Sequence, residues 1–375
     1  MRYKVSEIAD IINISIKDPS NSGINIFVGL EHYDVGEPVI TRYGSTEMLT
    51  TAVKKFNSGD ILLARRNVYL RRAGKADFDG VTSGDSIVIR VKSDLSKLEE
   101  CDSTVMKSLL PFILNTNAFW DYANTNSDGT MSKRLSPQML LDYEFDLPPL
   151  AEQKVLADKL WAAYRLKESY KKLLTATEEM VKSQFIEMFG DPLKNPKNFA
   201  QRKLGDVATL LNGRAYKASE LLSSGRYLVL RVGNFFTNTD YYYSDLELEP
   251  DKYCDTGDIL YSWSATLGAQ IWKGGKVIYH YHIWKVLFDE NILNKEYFCF
   301  MLNVMTDSLK QETHGSTMVH LTKDGMEKKF IAIPPLELQK RFVSIAEQAD
   351  KSGFELRKSI EAIDKVIKSL INENL

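Results

Sequence analysis

The segment Arg65-Arg66-Asn67-Val68-Tyr69-Leu70-Arg71-Arg72-Ala73-Gly74-Lys75 carries five basic residues, no acidic ones and an interleaved tyrosine. Guanidinium groups can grip phosphate or pair bidentately with guanine, and the Asn67 amide can pair with adenine, so the composition suits contact with nucleic acid. The plain alternative is a solvated charged turn, or ion pairs with nearby acids such as Asp77 and Asp79. Gly129-Thr130-Met131-Ser132-Lys133-Arg134 adds Lys133 and Arg134 as candidates. Further on, Leu260-Tyr261-Ser262-Trp263 is polar and aromatic without positive charge, Arg231 and Asn234 close an apolar run, and Lys273, His280 and His282 lie downstream. Thr317 and His320 fall in Gly315-Ser316-Thr317-Met318-Val319-His320, which mirrors the stretch at 129–134. Hydroxyl and imidazole groups can touch phosphates or base edges. Equally, these stretches can be the turns that chain topology requires.

Other chemistries are poorly supported. His280 and His282 share one face of a strand, but no nearby Cys or carboxylate completes a ligand set, so no metal is expected. Cys101, Cys254 and Cys299 are scattered, with neither a disulfide framework nor a zinc spacing. There is no Gly-x-Gly-x-x-Gly and no phosphate-cradling Gly-x-x-x-x-Gly-Lys-Ser/Thr. The Pro-Pro pairs at 148–149 and 334–335 lack the flanking Asn or Asp and aromatic residue that would hold a flipped adenine. Glu327-Lys328-Lys329 resembles half of a nuclease motif without an upstream Asp to complete it. No catalytic residue and no cofactor of the chain's own are therefore expected. The net charge of −2 argues against a stand-alone, non-specific nucleic-acid binder but leaves room for local positive charge. No apolar run approaches bilayer length and no secretory signal opens the chain, so a cytoplasmic location and no membrane contact are expected.

The elements that must position these residues come in duplicate. Leu147-Pro148-Pro149-Leu150-Ala151-Glu152-Gln153-Lys154 is echoed, 186 positions on, by Ile333-Pro334-Pro335-Leu336-Glu337-Leu338-Gln339-Lys340. A fixed offset means one structural unit used twice. Each copy opens a long helical pattern, with Pro at a helix start where a missing N–H costs little. In the second helix Phe342, Ile345, Ala349, Ser352, Leu356, Ser359, Ile363, Val366 and Leu370 keep steps of three and four. The same offset selects Leu156, Ala163, Leu166, Tyr170, Leu173 and Met180 in the first. Both stripes predict a coiled coil. Helices of roughly 43 Å, comparable to the roughly 34 Å between half-sites one DNA turn apart, would hold two domains apart. An ordinary helical hairpin is the alternative.

Around the helices, residues 1–147 and 202–332 read as mixed α/β domains. Val5 to Ile12 and Leu204 to Leu211 are predicted as opening helices, and Val105 to Trp120 as a helix bent or split at Pro111. Ile24 to Leu30, Asp60 to Ala64, Ser86 to Val91, Tyr227 to Val232 and Lys276 to Phe288 are predicted strands, and Asn294 to Lys310 a helix. Residues 148–190 form the central helix, 191–201 a linker and 333–375 the C-terminal helix.

This order resembles the specificity subunit of type I restriction–modification systems, over essentially the whole chain. The resemblance is carried by the paired Pro-Pro-Leu-x-x-Gln helix starts, Met188-Phe189-Gly190-Asp191-Pro192, Lys203-Leu204-Gly205-Asp206-Val207-Ala208 and the two Gly-Asp-Ile-Leu strands. Val28-Gly29-Leu30-Glu31-His32 and Asp79-Gly80-Val81-Thr82-Ser83-Gly84 are similar to patterns of its target recognition domains. The chain departs in its first opening, Val5-Ser6-Glu7-Ile8-Ala9-Asp10, which lacks the Leu-Gly of the second. The resemblance implies an α+β fold of two target recognition domains, related by pseudo-two-fold symmetry and separated by an antiparallel coiled coil. It also implies that each domain reads half of a bipartite, asymmetric site in double-stranded DNA. The helices would set the spacer and dock two modification subunits, which bind S-adenosylmethionine and methylate adenine. It further implies restriction subunits using ATP and Mg as additional partners. Two rivals remain at this stage, a coiled-coil scaffold that never touches DNA and a self-contained DNA methyltransferase or nuclease.

Overall fold

The computed structural model describes residues 1–129, 132–236, 239–312 and 321–375. The chain divides into two compact units, one made of Met1–Lys171 with Arg357–Leu375 and the other of Lys172–Leu356. Each has the same plan of two sheets, a two-stranded ribbon and helices. In the first unit one sheet runs in the order Ala9–Ile12, Ser86–Val91, Ile61–Ala64, Ala73–Ala76, Val39–Ile40. Its counterpart in the second unit runs Ala208–Asn212, Ile283–Phe288, Ile259–Ser262, Gly268–Ile271. The other sheet places Ile26–Val28 parallel to Gly80–Thr82, and correspondingly Tyr227–Leu230 parallel to Val277–Tyr279. Arg2–Lys4 with Glu144–Asp146, and Ala200–Lys203 with Phe330–Ile333, form the ribbons. The duplication legible in the helix starts therefore extends to strand order and direction.

The repeated Gly-Asp-Ile-Leu has a physical reason. Ile61 and Leu63 point into one core and Leu62 and Ala64 into another, so this strand is apolar on both faces. Ile259 and Tyr261 divide from Leu260 in the same way. Gly59 and Gly257 have φ of 93° and 94°, a backbone region that side chains avoid. The buried Asp60 takes two hydrogen bonds from Arg90, at 2.6 and 2.7 Å, and Asp258 pairs with Lys285 at 2.7 Å.

Several expected elements need correction. Val5–Ile8 and Leu204–Val207 are single helical turns, followed at once by the strands Ala9–Ile12 and Ala208–Asn212. Val5 and Ile8 fill a core at helical spacing, but the next residues are recruited as sheet edges by Ser86–Val91. Pro111 lies inside the helix Ser103–Ile113; the break comes after it, where Thr116 caps Asn117–Thr125 by accepting from Phe119 N–H at 3.1 Å. Lys276 to Phe288 is not one strand. Val277–Tyr279 and Ile283–Phe288 belong to different sheets, and His280, Tyr281 and His282 form the turn between them.

The long helices are Leu150–Phe189 and Leu336–Asn374. Each start is pinned by a fully buried glutamine. Gln153 Nε2 donates to Glu100 O and Pro148 O, both at 2.8 Å. Gln339 Nε2 donates to Ile292 O and Pro334 O, at 2.9 and 2.8 Å, while its Oε1 accepts from Asn294 N–H. The Pro-Pro-Leu-x-x-Gln motif thus ties each helix to the sheet unit beside it. At the far end of the first helix Gly190 has φ 71° and its N–H bonds Ile186 O, the left-handed stop that glycine favours.

The two helices pair antiparallel. In the first unit Leu156, Leu160 and Tyr164 share a core with Ile367 and Ile371. In the second Phe185 meets Phe342 with ring centroids 5.2 Å apart. The predicted stripe is right at every second position and one residue short at the others. Leu156, Ala163 and Tyr170, and Phe342, Ala349, Leu356, Ile363 and Leu370, are buried or half-buried. Leu166, Leu173, Met180 and Val366 are about half exposed, and Ile345 lies at the edge. The positions facing inward are instead Leu160, Lys167, Leu174 and Val181, and under the same offset Ala346, Gly353, Ile360 and Ile367. Lys167 is a cation where the pattern asks for an apolar residue. It is buried because its ammonium reaches Glu37 at 2.7 Å and Asp364 at 2.6 Å.

Candidate nucleic-acid interface

In the first unit the basic run divides into two chemical groups. Three of its cations serve the fold. Arg72 donates to Leu30 O and Arg66 O, and burial pushes its guanidinium below the usual arginine range. Arg71 donates to Asn117 Oδ1 at 2.8 Å. Lys75 pairs with Asp77 at 2.9 Å and lies over the Trp161 ring. Asn67 and Arg71, at φ 55° and 51°, bracket the short turn Val68–Leu70, which leaves Tyr69 exposed.

The other group is gathered by the tertiary fold. Residues 132–135 run antiparallel beside Arg65–Asn67: Leu135 N–H donates to Arg65 O and Asn67 N–H to Lys133 O, at 2.9 and 2.8 Å. Arg66 and Arg134 thereby flank one carboxylate, Asp85, at 3.7 and 3.4 Å. Arg66 Nε also donates to Ser132 Oγ at 3.1 Å. Arg65, Arg66, Asp128, Ser132 and Arg134 line a single concavity. Arg65 Nε is buried with no partner among the described residues. Lys133 is turned away, its ammonium on Asn124 O. Lys54 stands close by on Ser86 O, and burial, then the neighbouring Arg65, lowers its pKa. The result is a cluster of guanidinium groups around one acid, suited to binding anionic or acceptor-rich surfaces.

In the second unit Arg231, Asn234, His280 and His282 line one concavity of about 550 Å³, with Asp240, Tyr241 and Tyr242. Arg231 and His280 are the first residues past the carboxyl ends of the parallel strands Tyr227–Leu230 and Val277–Tyr279, and His280 N–H donates to Leu230 O. The Arg231 guanidinium lies over the Tyr242 ring at 5.3 Å. Trp263 meets His282 edge-on, centroids 5.0 Å apart, and donates its indole N–H to Tyr281 O. Burial, aided by His282 and Arg231, depresses the His280 pKa to about 4, so its ring is neutral at neutral pH. Ser262 is fully buried and drops out as a surface contact. Lys273 lines a larger and different hollow, with Glu296, Glu347 and Asp350, whose acidity is the wrong sign for a phosphate backbone. Thr317 and His320 lie outside the described residues.

Three comparisons bear on this arrangement. Residues 196–364 match the family model described as the type I restriction modification DNA specificity domain. Over those residues the chain is similar to that family of specificity domains. The MjaVIII specificity subunit of Methanocaldococcus jannaschii is 26% identical over 197 residues, which are 50% of this chain and 44% of that protein. The match spans less than half the length of the curated relatives. Among solved structures, a chain from work on complex assembly and conformational transition of the type I R-M system aligns at a TM-score of 0.60. It is 18% identical and covers 100% of this chain and 98% of that one. The type I restriction-modification S subunit from M. genitalium aligns at 0.53, with 13% identity and coverage of 100% and 96%. At these identities the structures attest the fold alone, mixed α/β domains with long helices.

At the cationic cluster of the first unit, the most telling residue absent from the sequence reading is Asp85. It directly follows a motif that drew attention, but only the fold brings Arg66 and Arg134 to it. Tyr242 and Asp240 were missed likewise; the run Tyr241-Tyr242-Tyr243 shows as aromatic but not as the floor under Arg231. Among the described residues no helix is long and apolar enough to cross a membrane.

Proposed function

We propose that the chain is the DNA-recognition subunit of a cytoplasmic type I restriction–modification complex, non-catalytic in itself. Residues 1–147 and 202–332 are its two readers, each taking one half of a bipartite, asymmetric duplex site. The paired helices set the spacer and dock two modification subunits. S-adenosylmethionine chemistry belongs to those partners, and ATP and Mg belong to restriction subunits where they join. The observation that carries this reading is one strand topology built twice, with guanidinium groups around Asp85 in the first copy and imidazole and aromatic rings beside Arg231 in the second. A duplicated scaffold with unlike surfaces suits a target of two unlike parts.

The experiment is co-expression with a modification subunit, followed by selection of bound sequences from a randomised duplex pool. Two specified blocks separated by a fixed unspecified gap are expected. One continuous block, or no sequence preference, contradicts the proposal. Methylation or cleavage by the purified chain alone would instead support a self-contained enzyme.

A further inference from the structure

Superposing the two strand ladders by their register pairs Arg65 with Trp263 and Asp85 with His282. Arg65 is the first residue past Ile61–Ala64, and its N–H donates to Asp85 O at 2.9 Å. Trp263 is the first residue past Ile259–Ser262, and its N–H donates to His282 O at 3.1 Å. Asp85 immediately precedes Ser86–Val91, as His282 immediately precedes Ile283–Phe288. The two pairs occupy one address in the fold, held by the same backbone bond.

What stands at that address differs in kind. Asp85 is flanked by Arg66 and Arg134. His282 is flanked by Trp263 and, at 4.8 Å, by His280. A backbone bond fixes the Cα positions whatever the side chains are, so this address can change chemistry without disturbing the sheet. A guanidinium backed by a carboxylate is oriented for bidentate donation to guanine O6 and N7. Imidazole and indole rings can pack on a thymine methyl and make single hydrogen bonds with base edges.

We propose that this address is the specificity-determining position of each unit: Asp85 with Arg66 and Arg134 reads a guanine-containing half of the duplex target, and His282 with Trp263 reads the other half through their aromatic rings. The proposal rests on the DNA-reading function put forward above.

The test uses the full chain assembled with its modification subunits and selection from randomised duplex pools. Asp85→Asn is expected to relax base preference about tenfold in one half-site alone, and His282→Gln to do so in the other half alone. If either variant fails to assemble, Arg134→Ala and Trp263→Phe are judged by the same criterion. A two-part preference that both variants leave intact, that both relax in the same half, or that only one of them relaxes, overturns the shared address while the recognition function stands. No two-part preference in the parent complex overturns the recognition function itself.

Discussion

Lys167→Met tests the energetics of the helix pair in the first unit. The ammonium is almost fully buried between Glu37 at 2.7 Å and Asp364 at 2.6 Å. Methionine keeps much of the volume and removes the charge. Stripping one partner from a buried ion pair costs about 3–5 kcal/mol, because the surviving charge stays desolvated. Here the penalty is smaller. Asp364 is 39% exposed and can regain water, and Glu37 keeps Lys171 at 3.1 Å. We expect about 2–3 kcal/mol, which corresponds to local opening roughly 30- to 150-fold more frequent. Hydrogen exchange of the amides around Leu160–Lys171 reads this directly. Adding Glu37→Gln should restore about 1 kcal/mol, since the double variant no longer holds a largely buried carboxylate that has lost one of its two cations. An exchange rate within about threefold of the parent would refute the reasoning and place Lys167 among ions of no structural consequence.

Three further outcomes follow from the same structure. Leu160→Ala should lower stability by about 2–5 kcal/mol and Leu166→Ala by less than about 1 kcal/mol, because only the first faces the core; denaturant unfolding of both variants checks the register. Gln339→Leu should cost about 1–3 kcal/mol and fray the start of the C-terminal helix, since Ile292 O, Pro334 O and Asn294 N–H all lose their partner; thermal unfolding and exchange at Leu336–Lys340 report it. For His280, the folded pKa of about 4 lies below the ordinary 6.5, so the unfolded chain takes up the proton first as pH falls. The second unit should therefore lose stability between about pH 6.5 and 4, and His280→Gln should flatten that slope; a slope unchanged in His280→Gln assigns the effect elsewhere.

The parts of this chain governed by local physics were legible in the sequence. Gln153 and Gln339 announced themselves as a repeated motif because each makes the same buried bonds to its own unit. The Gly-Asp-Ile-Leu strands were legible because a positive φ and a strand buried on both faces leave little choice of residue. The helix stripe was misjudged at alternate positions for a reason visible at Lys167. A lysine argues against burial until Glu37, distant in sequence, comes beside it, and Leu166, Leu173 and Met180 offer a plausible apolar stripe in its place. At the surface, sequence reading found cations but not their duties. Arg71, Arg72 and Lys75 engage Asn117, Leu30 O and Trp161 within their own unit, whereas Arg66 and Arg134, far apart in the chain, converge on Asp85. His280 to His282 read as the middle of a strand because continuous apolar and β-branched residues hide a change of sheet.

The central claim is that two units read two separate pieces of DNA. Its most direct measurement replaces residues 1–147 with the corresponding domain of another specificity subunit and maps methylated adenines across a genome when partner subunits are present. The account predicts that one half of the methylated sequence changes while the other half and the gap stay as they were. A change in both halves, or in neither, contradicts it.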